Sequence, residues 1–233
     1  MMAIIAGISE WIGVFLNLQA LIGFLVGIIF YKGLAMRKQY HLRRMLSLSG
    51  TSSGRCFVYI PIYIKENDEV VNLHDLQLFL NINSLLSNAG IKIETDFNGR
   101  DITFSEIQIA GPAVNKFCKR YIEYYLKDVK LLYQLTDGKS GILIGDTFYN
   151  AEESDWAVLI KIIDKSDIPA KTIHLLFGYA LGGTIAAVDY FTNHYSSIYR
   201  YNKSRPYIGI FAVNGEGAKI GKIKWHDINR FLK

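Results

Sequence analysis

Cysteine is scarce in this chain, and its two thiols, Cys56 and Cys118, show no metal-ligand spacing. That excludes a disulfide framework, suits a reducing compartment, and reads both residues as small buried hydrophobes. Histidine is sparse and scattered at His41, His74, His174, His194 and His226, and His174 falls inside an apolar run as a core residue. Neither GxxxxGK[ST] nor GxGxxG occurs, so a nucleoside-triphosphate P-loop and the dinucleotide fingerprint are both excluded. No nucleophile with a base, no paired carboxylates and no metal cluster appear at recognisable spacing. The sequence therefore assigns no catalytic residue, no metal and no cofactor, and enzymatic activity is the lesser expectation. No internal repeat is present.

Charge is also missing where it is most informative. Residues 1–31 carry a single charged side chain, Glu10, whereas 32–44 carry Lys32, Arg37, Lys38, Arg43 and Arg44 and no acid. The remainder is close to neutral, so the basic balance gives no case for binding a nucleic-acid duplex. At ~1.5 Å per residue, the apolar run over 3–31 spans ~43 Å as a helix, more than the ~30 Å of bilayer hydrocarbon. The basic residues follow the apolar core rather than precede it, which argues against a cleavable signal peptide and for a transmembrane helix. The positive-inside rule places the amino terminus outside and the main domain in the cytoplasm, as in a single-pass protein of the cell inner membrane. The expected organisation is a transmembrane helix over 1–31, a basic juxtamembrane segment and linker over 32–54, and a folded domain over 55–233.

One face of that helix is unusual. Glu10, Gly13, Asn17, Ala20, Phe24, Gly27 and Tyr31 follow steps of three and four, forming a mostly small or polar stripe against a leucine- and isoleucine-rich remainder. Small residues permit close helix contact, and intramembrane polar residues face protein or water, so the stripe predicts a homo-oligomer within the lipid bilayer. The alternative is a plain anchor with Glu10 and Gln19 near the interface.

The domain reads as α/β, a Rossmann-like and mostly parallel sheet with flanking helices and an added β-hairpin. Strands are expected over 56–64, 91–96, 106–110, 129–135, 141–149, 156–163, 172–177, 207–213 and 218–225. A helix over 72–89 turns Leu73, Leu76, Leu80 and Leu85 inward and ends at Gly90, and 227–232 forms a short terminal helix. Asn98-Gly99 and 214–217 read as turns.

Two strand-to-helix junctions are candidate ligand loops, because unpaired N–H groups and the helix dipole favour an anion there. In 171–195, Gly178, Gly182 and Gly183 form a loop before a helix from Thr184, and the glycines permit close approach of a ligand. In 106–126, Gly111 permits the same approach, Pro112 takes the first helical position, and the amide of Asn115 reaches back over the loop, with Lys116, Lys119 and Arg120 nearby. Both sets are equally explained as tight turns and helix packing. The acidic loop over 150–155 offers further carboxylates, Glu152, Glu153 and Asp155.

An apolar helix with a polar stripe, a basic collar, a short linker and an α/β domain with glycine-bearing loops resembles, in architecture, the small membrane effectors of prokaryotic antiviral defence. In those, a cytoplasmic sensor of the CARF type or a relative binds a nucleotide second messenger and changes the state of a membrane helix bundle. The resemblance implies a ligand-gated effector, such as an ion channel, that binds a phosphate-bearing small molecule of the cyclic nucleotide or oligonucleotide class through Gly111, Pro112, Asn115, Gly178, Gly182, Gly183 and Thr184. A membrane-tethered enzyme acting on a nucleotide or sugar, and a scaffold binding only protein, are the competing readings.

Overall fold

The computed structural model describes residues 2–48, 54–65, 68–95, 105–132, 140–165, 170–214 and 219–232. The chain forms two compact units, Met1–Tyr40 and His41–Lys233. The first is most of one long helix, α1 (Met2–Met45), in which apolar side chains such as Leu21, Phe24, Val26 and Ile29 are exposed. It is apolar and long enough to cross a membrane. Ala20 and Gly27 lie on it, but the side chains of Glu10, Gly13 and Asn17 lie outside those described.

The second unit is built on a seven-stranded mixed sheet in the order β12-β11-β9-β10-β5-β1-β4. The strands are β1 (Arg55–Tyr59), β4 (Lys92–Glu94), β5 (Ser105–Ile109), β9 (Asp155–Asp164), β10 (Lys171–Gly178), β11 (Tyr207–Val213) and β12 (Lys219–His226). Their pairings set β4, β1, β5 and β10 parallel, with antiparallel pairs from β10 through β9 and β11 to β12. The mostly parallel expectation therefore holds for one half, and the long buried run over 155–164 enters the sheet against the direction of β10. Both β9 and β10 are buried along nearly their whole length, which is why they read as continuous apolar runs rather than alternating ones.

Helices α2 (Leu73–Asn88) and α4 (Leu181–Asn202) cover one face, together with Leu42, Met45, Leu46 and Leu48 from the end of α1. The other face carries α3 (Lys116–Tyr125), the short 3-10 turn η1 (Ile228–Arg230) and a separate antiparallel sheet of β6 (Val129–Leu132), β7 (Gly141–Ile144) and β8 (Thr147–Asn150). The expected single strand over 141–149 is thus a tight hairpin, turned at Gly145, whose φ is +58°. Pro61 likewise breaks the expected strand over 56–64, and Tyr63–Lys65 (β2) pairs instead with Asp68–Val70 (β3) as a small hairpin.

The inward face of α2 is a correction. Leu78, Ile82 and Leu86 are buried, while Leu73 is 76 % exposed and Leu76 and Leu80 are also on the surface. Leu85 does pack against the core as expected, but leucines occur on both faces of this helix, so periodicity alone misplaces the other three. Asn72 caps α2 by accepting from the His74 N–H, and Gly90, with φ +66°, ends it as expected. The expected turn at Asn98-Gly99 and most of that over 214–217 lie outside the described residues. The terminal helix over 227–232 shrinks to η1, capped by Asp227.

The last turn of α1 is part of the folded unit rather than a free linker. Its final carbonyls, left without helical partners, are taken by the sheet. His174 Nε2–H donates to the Met45 carbonyl at 3.3 Å, and Ser105 Oγ donates to that of Leu46 at 2.5 Å. Ser47 adopts φ +54°, and the Leu48 N–H closes back on the Arg43 carbonyl at 2.8 Å, so the helix ends in a left-handed cap with serine where glycine is usual. Thr172 Oγ1 donates to Ser47 Oγ at 2.6 Å, and His41 meets Ser196 of α4 at 2.6 Å. Residues 49–53 of the expected linker are outside the described set.

Candidate functional site

The chain leaves β1 toward β4 on one side and leaves β5 toward α3 on the other, so the carboxyl ends of β1, β5 and β10 border the place where the strand order reverses. Such a reversal opens a crevice, because successive connections depart in opposite directions. A cavity of about 270 Å³ lies there. Its walls are Tyr63, Asn72 and Asp75 after β1, then Ala110, Gly111, Ala113 and Val114 after β5, and residues 178–181 with Thr184 after β10.

Of the residues singled out in the sequence, Gly111, Gly178 and Thr184 line this crevice, whereas Pro112, Asn115, Gly182 and Gly183 do not. Gly182 and Gly183 sit in the first turn of α4 rather than in a loop, because the helix starts at Leu181. Pro112 does not open α3, which begins at Lys116 with Asn115 as its cap. The buried Asn115 side chain accepts from Phe117 N–H and Cys118 N–H at 3.0 Å each and donates to the Ile109 carbonyl at 2.8 Å. Its amide does reach back over the loop, but as the helix cap rather than as a ligand contact.

The amino end of α4 is occupied by the protein itself. Asp155 Oδ1 accepts from the Ala180 N–H at 3.0 Å, and Oδ2 accepts from the Gly183 N–H at 2.5 Å. An antiparallel β9 brings its first residue to the same edge at which β10 ends, and the carboxylate then meets the positive end of the helix dipole. Thr184 is engaged as well: its hydroxyl accepts from the Gly178 N–H at 3.0 Å and donates to the Ala180 carbonyl at 3.3 Å. Asp155→Ala should therefore cost about 2–3 kcal/mol of folding stability, since a charged acceptor of two amides is lost, with Asp155→Asn costing less. Urea denaturation of the full chain in detergent reads both, and equal midpoints for wild type and Asp155→Ala would contradict the cap.

Three crevice residues are not among those the sequence singles out. Tyr63 donates to Asp75 Oδ2 at 3.0 Å across the mouth. Burial raises the Asp75 carboxyl despite that bond, and burial followed by the Asp75 contact pushes the Tyr63 hydroxyl up to about 12. Ala110 holds φ +74°, a conformation disfavoured for any residue with a Cβ, directly at the rim. The only sequence cue for Asp75 is its place in the first turn of a helix.

No family model matches this chain, and no curated protein matches it.

Beside the crevice, and sharing Ala113 and Val114 with it, lies a groove of about 570 Å³ between α3 and β6. Lys116, Lys119 and Lys130 line it over an apolar floor that includes Ile122 and Val129. Of these cations, Lys119 has Glu123 at 3.9 Å. The β5–α3 connection thus separates a small crevice containing a carboxylate from a larger groove rimmed by lysines. Hydroxyl and amine groups suit the first, and anions suit the second.

Proposed function

We propose that this protein is a single-pass effector of the cell inner membrane, with α1 as the span and a cytoplasmic, Rossmann-like domain that senses a nucleotide second messenger in the manner of antiviral signalling systems. One observation carries the reading. Strands β5 and β10 border the crevice at their carboxyl ends and hold the last turn of α1 through Ser105, Thr172 and His174 elsewhere along their length. A ligand that moves these strands has a direct mechanical route to the helix, which is what a gated effector needs.

In this reading Asp75 accepts from ligand hydroxyls in the crevice, and phosphate groups lie over Lys116, Lys119 and Lys130 rather than at the start of α4, where Asp155 already sits. Oligomerisation through the α1 stripe then couples several domains to one helix bundle.

The test uses the full chain in liposomes with a panel of cyclic di- and oligonucleotides, measuring binding and dye leakage together. Saturable binding that triggers leakage is expected. Leu181→Trp, which fills the crevice from an exposed position, should abolish both. The pair Ser105→Ala and Thr172→Val should keep binding and lose leakage. Absence of binding across the panel, or binding indifferent to Leu181→Trp, rules the assignment out.

A further inference from the structure

A second cavity, of about 630 Å³, opens where α4 ends, β11 begins and β12 ends. Its walls include Tyr201, Lys203, Arg205, Tyr207, Trp225 and Asp227. The aromatic wall is preset by packing. A Cβ on Gly209 would come within 2.6 Å of the Trp225 ring, so the indole rests on bare backbone. Trp225 stacks with Tyr201 at 5.6 Å and 26°, and meets Tyr207 edge-on at 5.3 Å.

Cationic side chains outnumber carboxylates at the same place. Lys203 and Arg205 are exposed, and among the described residues neither forms a salt bridge. Between them in sequence, the Ser204 carbonyl accepts from Lys161 Nζ at 3.2 Å. Lys161 is fully buried, and burial lowers its pKa to about 8. The one lining carboxylate named above, Asp227, already accepts from the backbone N–H and the amide of Asn229.

We propose that this cavity binds an anionic aromatic ligand of the mononucleotide class. Lys203 and Arg205 take the phosphate, and the Tyr201–Trp225 wall takes the base. The site also has a route to the membrane helix that does not pass through the crevice. Tyr207 pairs with Lys161 across β11 and β9, and Lys161 pairs with His174 across β9 and β10. His174 is the residue that holds the Met45 carbonyl.

Calorimetry on the full chain in detergent, with AMP, adenosine and inorganic phosphate as probes, tests this. AMP is expected to bind saturably and more tightly than either of its parts. The double variant Lys203→Ala/Arg205→Ala should weaken AMP by ~10-fold or more, the loss of one or two charge-assisted hydrogen bonds. Leu181→Trp, in the crevice, should leave AMP affinity unchanged. Failure of wild type to bind AMP at millimolar concentration overturns the proposal. So does affinity that survives the double variant, including the case in which Leu181→Trp abolishes it and the nucleotide belongs to the crevice.

Discussion

Gly178→Ala is expected to destabilise the domain by about 3 kcal/mol, as steric overpacking against rigid backbone does. A Cβ there would lie 2.3 Å from the Gly183 carbonyl carbon and 2.4 Å from the Thr184 nitrogen. Those are main-chain atoms of the first turn of α4, so no side chain can rotate away, and the helix must lift off the sheet. Lifting it breaks the Gly178–Thr184 hydrogen bond and pulls the turn away from Asp155. Gly182→Ala is the internal control. Its Cβ would meet only Asp155 Oδ2, at 3.1 Å, and alanine gains up to ~1 kcal/mol of helix propensity over glycine. The control should fall near wild type in a urea titration at constant slope. Equal midpoints for the two variants would show that the strand–helix contact does not constrain position 178.

Lys171→Met should cost more, about 3–5 kcal/mol, because it strands a buried carboxylate. Glu106 is fully buried near the start of β5, and Lys171 Nζ lies 2.6 Å from its Oε1. Its other oxygen accepts from Tyr121 at 2.6 Å and from Gln108 at 2.8 Å. Gln108 in turn faces the Asn115 amide at 3.4 Å, so the network reaches the cap that fastens the crevice loop. Asp164, opposite Lys171 across the strand pair, accepts from Tyr125. The double variant Glu106→Gln/Lys171→Met removes both charges and should recover most of the lost stability, since a neutral amide can still accept from Tyr121. If the double variant is no more stable than Lys171→Met alone, the cost belongs to packing of the lysine stem and not to the uncompensated charge.

Both predictions rest on contacts between residues far apart in the chain, and this sets how much of the candidate site could be read beforehand. The glycines of 178–183 were recognisable as a place where something approaches the backbone closely. What approaches Gly178 is the backbone of α4. A Gly-x-x-x-Gly-Gly stretch after an apolar strand looks the same whether it admits a ligand or its own helix. Asp155 stood out only as one acid in an acidic loop. Its role follows from β9 running antiparallel to β10, which no local pattern encodes. Asp75 and Tyr63 are separated by Asn72 and the β2–β3 hairpin, and only the break at Pro61 folds the chain so that they meet.

What the sequence by itself determined is the set of properties that depend on runs and spacing. The N-terminal apolar helix and its basic collar follow from composition over consecutive residues. The buried strands β9, β10 and β11 follow from largely apolar stretches, and the end of α2 follows from Gly90, whereas the cap role of Asn115 emerged only once α3 began at Lys116 rather than at Pro112. The tertiary structure alone decided the direction of β9, the inward face of α2 and the occupant of the α4 amino end. It alone also decided the fastening of α1 to Ser105, Thr172 and His174. Each of these pairs groups tens to more than a hundred residues apart, and which pair forms is decided by the free energy of the whole packed arrangement, not by any segment of it.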